Sequence, residues 1–185
     1  MYFNNFPKIL YNGVEARNIL LKSALISEIF ESADSFYPYI VSDGVRPDAV
    51  SNEVYGTPFL DWLVYFSNRV VDPYYEWPLE SADFKAYLEK KYSSSIYTLM
   101  NTTSHYEYGG VAGESSNDVA RNSWKMSVDT YTLCNTFADG SNIGWNPISI
   151  YDYEDRLNEQ RRSIRLLANR YVPQITAEIA TIFKK

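Results

Sequence analysis

His105 is the single histidine in 185 residues, so a serine or cysteine triad, or a metal site built on imidazoles, would have to begin there. Its setting, Ser104-His105-Tyr106-Glu107-Tyr108-Gly109, is polar and turn-like and lacks a nucleophile signature, which fits a structural histidine. Carboxylates offer more scope. Asp43, Asp48, Glu53, Asp61, Asp72 and Glu76 lie close along the chain, and cleavage of a glycosidic bond needs a pair of them, one on each side of the sugar. Most already have an ordinary use in a turn, a first helical turn or a solvated face. Gly109-Gly110-Val111-Ala112-Gly113 has the glycine content of a phosphate loop, but no Lys-Ser/Thr pair follows it. Cys134 stands alone, which excludes an internal disulfide and a cysteine-built metal site, and it reads as an inert buried thiol in a strand, in a chain suited to a reducing compartment. Arg156, Arg161, Arg162, Arg165 and Arg170 are interleaved with Asp152, Glu154, Asp155 and Glu159, the pattern of an ion-paired face. These residues predict no catalytic, metal or cofactor site.

What the chain does supply is aromatic surface. Seventeen Tyr, nine Phe and four Trp make up 16% of it, more than a core of Leu, Val and Ile requires. Tyrosine and tryptophan combine large rigid contact area with one polar handle, which suits either a tyrosine-rich core or a protein interface. A formal charge of −6 argues against unaided binding to nucleic acid or an anionic membrane. No basic segment leads into an apolar run at the start, and nowhere do about 18 apolar residues run together, so an intracellular, soluble chain is expected.

The elements that must carry the aromatics are marked by turn and cap chemistry. Residues 19 to 30 show neither helical nor strand periodicity and are assigned to strands. Tyr37-Pro38-Tyr39-Ile40-Val41 is a run of β-formers closed by the turn pair Asp43-Gly44. Pro47 at a first helical position and Gly56 at a left-handed cap bound a short helix from Pro47 to Tyr55. Thr57-Pro58 starts the next, with Phe59, Trp62, Leu63 and Phe66 as its apolar stripe. After Asp72-Pro73 the chain is read as irregular through Tyr74, Tyr75, Trp77 and Pro78, until Ser81 opens a helix to about Tyr92.

Beyond Ser93 the texture turns to Ser, Thr, Asn and Gly. Met126 to Leu133 alternates strictly and reads as a strand, whereas 109–117 and 138–146 read as loops. From Tyr151 the chain is charged and helical, Ser163 to Leu167 fits strand or helix, and a last amphipathic helix has Pro173 in its first turn and Ile175, Ile179, Ile182 and Phe183 on one side.

Tyr55-Gly56, Trp62, Asn68 and Asp72-Pro73 follow the order and spacing of the LysM fold, a helix pair on a small two-stranded sheet. Adding Asp43-Gly44-Val45-Arg46-Pro47-Asp48, Asp72 through Leu79, Phe84, Lys91-Tyr92, Tyr151-Asp152-Tyr153-Glu154, Asn158-Glu159 and Arg162-Ser163-Ile164, the chain resembles the baseplate wedge protein of contractile-tailed phages. One departure stands out: after Trp77-Pro78-Leu79 a helix follows, where glycan-binding LysM modules continue into their second strand. The resemblance implies a structural, non-enzymatic subunit of the virion tail baseplate, assembled in the host cytoplasm. Its implied partners are wedge core helices, the sheath-initiating wedge protein, central hub and tube proteins, and copies of itself in neighbouring wedges. Nucleic acid, membrane and cofactors are not among them.

The expected architecture is α+β. A LysM-like core spans 37–92, after an N-terminal strand or extended arm at 1–36, with a loop- and strand-rich insertion at 93–150 and a helical segment at 151–185. Tyr55, Trp62, Tyr74, Tyr75 and Trp77 are the candidate core and docking anchors, and Gly44, Gly56, Pro58, Pro73 and Pro78 shape the backbone between them. Two other readings compete: a LysM-type module for peptidoglycan or chitin, and a cell-wall glycan hydrolase whose carboxylates would include Glu53 or Asp61.

Overall fold

A computed structural model describes residues 6–18, 33–109, 124–137 and 143–182. The chain divides into two compact units, Met1–Glu80 with Arg161–Lys185, and Ser81–Gln160. The architecture is α+β: helices with small antiparallel sheets. The strands expected over residues 19 to 30 lie outside the described residues.

In the first unit β1 (Lys8–Tyr11) and β2 (Val14–Arg17) form a hairpin with Tyr11 opposite Val14. Asn12 (φ 51°) and Gly13 (φ 81°) make its two-residue turn, the conformation that matches the twist of the flanking strands. β3 (Phe36–Ile40) pairs antiparallel with β7 (Ser163–Leu167), Tyr37 facing Leu166 and Pro38 facing Arg165. The segment 163–167, open between helix and strand on periodicity, is therefore a strand.

Between these strands run α1 (Pro47–Tyr55), a 3-10 turn at Pro58–Leu60, α2 (Asp61–Ser67) and α3 (Pro73–Glu76). Gly56 ends α1 in the left-handed conformation (φ 72°), its N–H donating to the Asn52 carbonyl at 3.0 Å. The Thr57 hydroxyl accepts from Phe59 N–H at the start of the turn. Because this first stretch is a 3-10 turn rather than α-helix, Phe59 swings off the expected stripe and is 63% exposed, while Leu63 and Val64 are fully buried. α8 (Val172–Ile182), with Pro173 in its first turn, closes the unit and buries Ile175 and Ile179. The side chains of Ile182 and Phe183 lie outside the described residues.

The core lies on both faces of the β3–β7 pair. Ile164 and Leu166 pack with Val41, Val50, Val64 and Trp77, and Leu167, one residue on and facing the opposite way, packs with Leu63, Ile175 and Ile179.

The second unit contains α4 (Ser81–Tyr92), α5 (Ile96–Asn101), β4 (Thr103–Tyr108), β5 (Lys125–Ser127), α6 (Val128–Phe137), β6 (Trp145–Ser149) and α7 (Ile150–Arg162, whose last two residues count with the first unit). β4 is the middle strand, antiparallel to β5 and β6. Strict alternation from Met126 to Leu133 predicts one strand, yet β5 stops at Ser127 and a helix begins. The Ser127 hydroxyl accepts from Thr130 N–H at 3.1 Å, a helix cap that outweighs the alternation. Cys134 accordingly sits on a helix and is half-buried, not in a strand.

Candidate docking surface

The segment from Asn68 to Leu79 is fixed to the first unit by unusually dense local bonding. The Asn68 amide donates to Val64 carbonyl (2.8 Å) and Arg165 carbonyl (2.9 Å) and accepts from Arg165 N–H (2.9 Å). One side chain thus occupies the place of a neighbouring strand on the outer edge of β7. Asp72 accepts from Tyr74 N–H at 2.9 Å as the cap of α3, and Pro73 fills the first helical position. One Glu76 carboxylate oxygen accepts from the N–H groups of Val71 (2.6 Å) and Asp72 (3.1 Å). Those two bonds hold its carboxyl below the usual carboxylate range. The stretch read as irregular is therefore a capped helical turn, its order carried by Asp72 and Glu76.

On this turn Tyr74 is 82% exposed and Tyr75 58%, their rings edge to face at 6.0 Å, with Val71 exposed beside them. Trp77 goes the other way. Its indole N–H donates to the Val45 carbonyl at 3.0 Å, its ring meets Tyr65 edge to face, and it belongs to the core. Pro78 is buried after it. A cleft of about 260 Å³ opens between Asn68, Arg69, Val70, Glu76, Trp77, Arg161, Ser163 and Ile164.

The remaining anchors are internal. The Tyr55 hydroxyl donates to the Leu167 carbonyl at 3.2 Å, and burial raises its pKa. Trp62 is half-buried against Phe66. Gly44 (φ 71°) makes the turn after β3, where a Cβ would stand 3.3 Å from the Glu80 carboxylate, and Pro58 opens the 3-10 turn after Thr57.

The residues that invited chemistry have structural bonds. Glu53 accepts from the Tyr39 hydroxyl at 2.9 Å, Asp43 from Arg162 at 2.6 Å, and Asp48 pairs with Arg46 at 3.1 Å. Asp61 stands in the first turn of α2. His105 contacts Glu107 through Nε2 at 3.0 Å and meets the Tyr153 ring edge to face. Glu107 also accepts from Arg156 at 2.7 Å, and that bond above all holds its carboxyl down to about 2. Of the glycine run, 110–113 lies outside the described residues, and among the described residues no group of three metal-ligating side chains comes together.

Sequence reasoning passed over the first hairpin, where Ile9, Leu10, Tyr11 and Val14 are all exposed. Asn12-Gly13 between β-forming residues was the available signal.

Comparison with known proteins gives one family model, described as Base plate wedge protein 53, which matches residues 13–183. No curated protein matches the chain.

Proposed function

The chain belongs to the Base plate wedge protein 53 family, a structural family of the phage tail baseplate whose members meet other baseplate components, and from this we propose that it joins adjacent wedges around the central hub without catalysing a reaction. Its neighbours on this reading are wedge core helices, the sheath-initiating wedge protein, hub or tube proteins and copies of itself, brought together in the host cytoplasm. The order strand, helix, helix, strand formed by β3, α1, α2 and β7 supports a LysM-like core in which the segment between α2 and β7 is an insertion.

One observation carries the docking assignment. Tyr74 and Tyr75 are exposed on a turn whose backbone is already bonded by Asp72 and Glu76, so little ordering entropy remains to oppose a contact. Rigid exposed tyrosines beside a cleft are the usual composition of interface hot spots. Trp62, Tyr55 and Trp77 act as the support behind them.

The test is co-purification with the other wedge components expressed together. Tyr74→Ala with Tyr75→Ala is expected to abolish incorporation while the thermal unfolding of the isolated chain stays within a few degrees. Normal incorporation of the double variant would sink the assignment. Retention of the unaltered chain on insoluble peptidoglycan would favour the glycan-binding reading instead.

A further inference from the structure

The cleft beside Tyr74 and Tyr75 contains a charge that the fold leaves unused. Among the described residues Arg46 pairs with Asp48, Arg156 with Glu107 and Arg162 with Asp43, while Arg165 donates to the Ser67 carbonyl and Arg170 to the Asp34 carbonyl. Arg161, which counts with the first unit, lines the cleft half-buried, and among the described residues it has neither a hydrogen bond nor an ion pair. It acts on Glu76, the carboxylate of the same cleft, through space alone. A guanidinium partly withdrawn from water and bonded to nothing is ready for an acceptor that fits its planar fork.

The rest of the lining narrows what that acceptor is. One Glu76 oxygen takes the Val71 and Asp72 N–H groups, and the other has no hydrogen bond among the described residues, so it can accept one. Trp77 and Ile164, both buried, give the cleft an apolar side together with Val70. Arg69 lines it too, already partnered. Its N–H donates to the Phe66 carbonyl at 3.3 Å and that of Val70 to the Tyr65 carbonyl at 3.0 Å, a C-terminal motif in which Arg69 has φ 56° where glycine is usual. A second cation is thus placed on the cleft against backbone preference. Two guanidiniums to one carboxylate leave the cleft net positive in a chain of charge −6. Glu76 disfavours a phosphate, which would bring up to two charges beside it. At about 260 Å³ the cleft has room for a side chain with its backbone, less than most small-molecule pockets.

We propose that the cleft takes a glutamate from an extended segment of a neighbouring, different wedge protein. Its carboxylate is forked on Arg161, its aliphatic stem lies on Trp77 and Ile164, and a backbone N–H of the same segment donates to the free Glu76 oxygen. This rests on the docking reading of Tyr74 and Tyr75, to which it adds the chemistry of the partner, and the family's place among other baseplate components makes that partner a wedge protein.

The test is binding of the full chain to the co-expressed wedge components. Arg161→Gln is expected to weaken it at least about tenfold and Arg161→Glu to abolish it, the range for truncating one partner of a desolvated charge pair. Thermal unfolding of the isolated chain should stay within a few degrees, because Arg161 bonds nothing in the fold. In the complex formed by Arg161→Lys, a water-soluble carbodiimide should join the new amine to a glutamate of another wedge protein, located by mass spectrometry. Normal binding of both Arg161→Gln and Arg161→Glu would overturn the proposal, and if Tyr74→Ala with Tyr75→Ala still abolishes incorporation, the docking surface survives without it. A cross-link to a second copy of this chain would overturn the assignment of the occupant.

Discussion

The first unit contains two ribbons of two antiparallel strands, and they could hardly be treated more differently. In β3–β7 the strand β7 is packed on both faces: Leu166 and Leu167 point to opposite sides and both are fully buried. Its edges are closed as well. Arg165 turns its backbone groups outward to Asn68, and Pro38, directly opposite, lacks the N–H that would point out from the other edge. β1–β2 has the better local turn, Asn12-Gly13, yet Leu10, Tyr11 and Val14 are each more than three-fifths exposed. Turn chemistry makes a ribbon; burial makes it stable.

The largest expected effect tests burial directly. Leu167→Ala should cost about 3–5 kcal/mol of unfolding free energy in denaturant titration, the range for a fully buried leucine, while Leu10→Ala should change it by less than about 0.5 kcal/mol. Comparable losses would erase the contrast. Next, Asn68→Ala removes three hydrogen bonds and leaves the Arg165 backbone without this partner, an expected loss of about 2–3 kcal/mol. If it is neutral, the edge of β7 does not need closing.

The third sheet, β5–β4–β6, asks whether charge can do what burial does. Glu107 has its carboxyl lowered from 4.5 to about 2, chiefly by the Arg156 hydrogen bond. A lowered folded-state value means that the contribution is complete above about pH 4.5 and disappears as the pH falls toward 2. With the side chain partly exposed, about 1–2 kcal/mol is expected, and Glu107→Gln should flatten the stability profile over that acid range. The smallest effect concerns the turn ending α1. Gly56→Ala meets open space but keeps a φ of 72°, so it should cost about 1 kcal/mol through backbone strain alone.

Local chemistry explains what was legible in the sequence. Pro47 and Gly56, Ser81 and Pro173 act within a few residues of themselves, and the helices they bound appear where they predict, while Thr57-Pro58 opens a 3-10 turn ahead of its helix. The α+β class follows from such signals. The pairing of β3 with β7 does not, because no local property of Tyr37 announces Leu166 as its partner. Met126 to Leu133 misled because alternation and a helix cap can share the same residues, and Ser127 resolves them only through its bond to Thr130. At the proposed docking surface the aromatic excess was visible but its direction was not. Tyr74, Tyr75 and Trp77 look alike as letters, and only the Val45 carbonyl and the Tyr65 ring turn Trp77 inward.

The separation of β3 from its partner also sets an order of events during synthesis. Every residue of Ser81–Gln160 is translated before β7, so the inserted unit can be complete while β3, α1 and α2 still lack the strand and the Leu166 and Leu167 side chains that close them. At ribosomal speeds that wait lasts several seconds. During it the Pro38 N-substitution does a second service, since a waiting β3 presents one edge that a stray strand cannot fully bond.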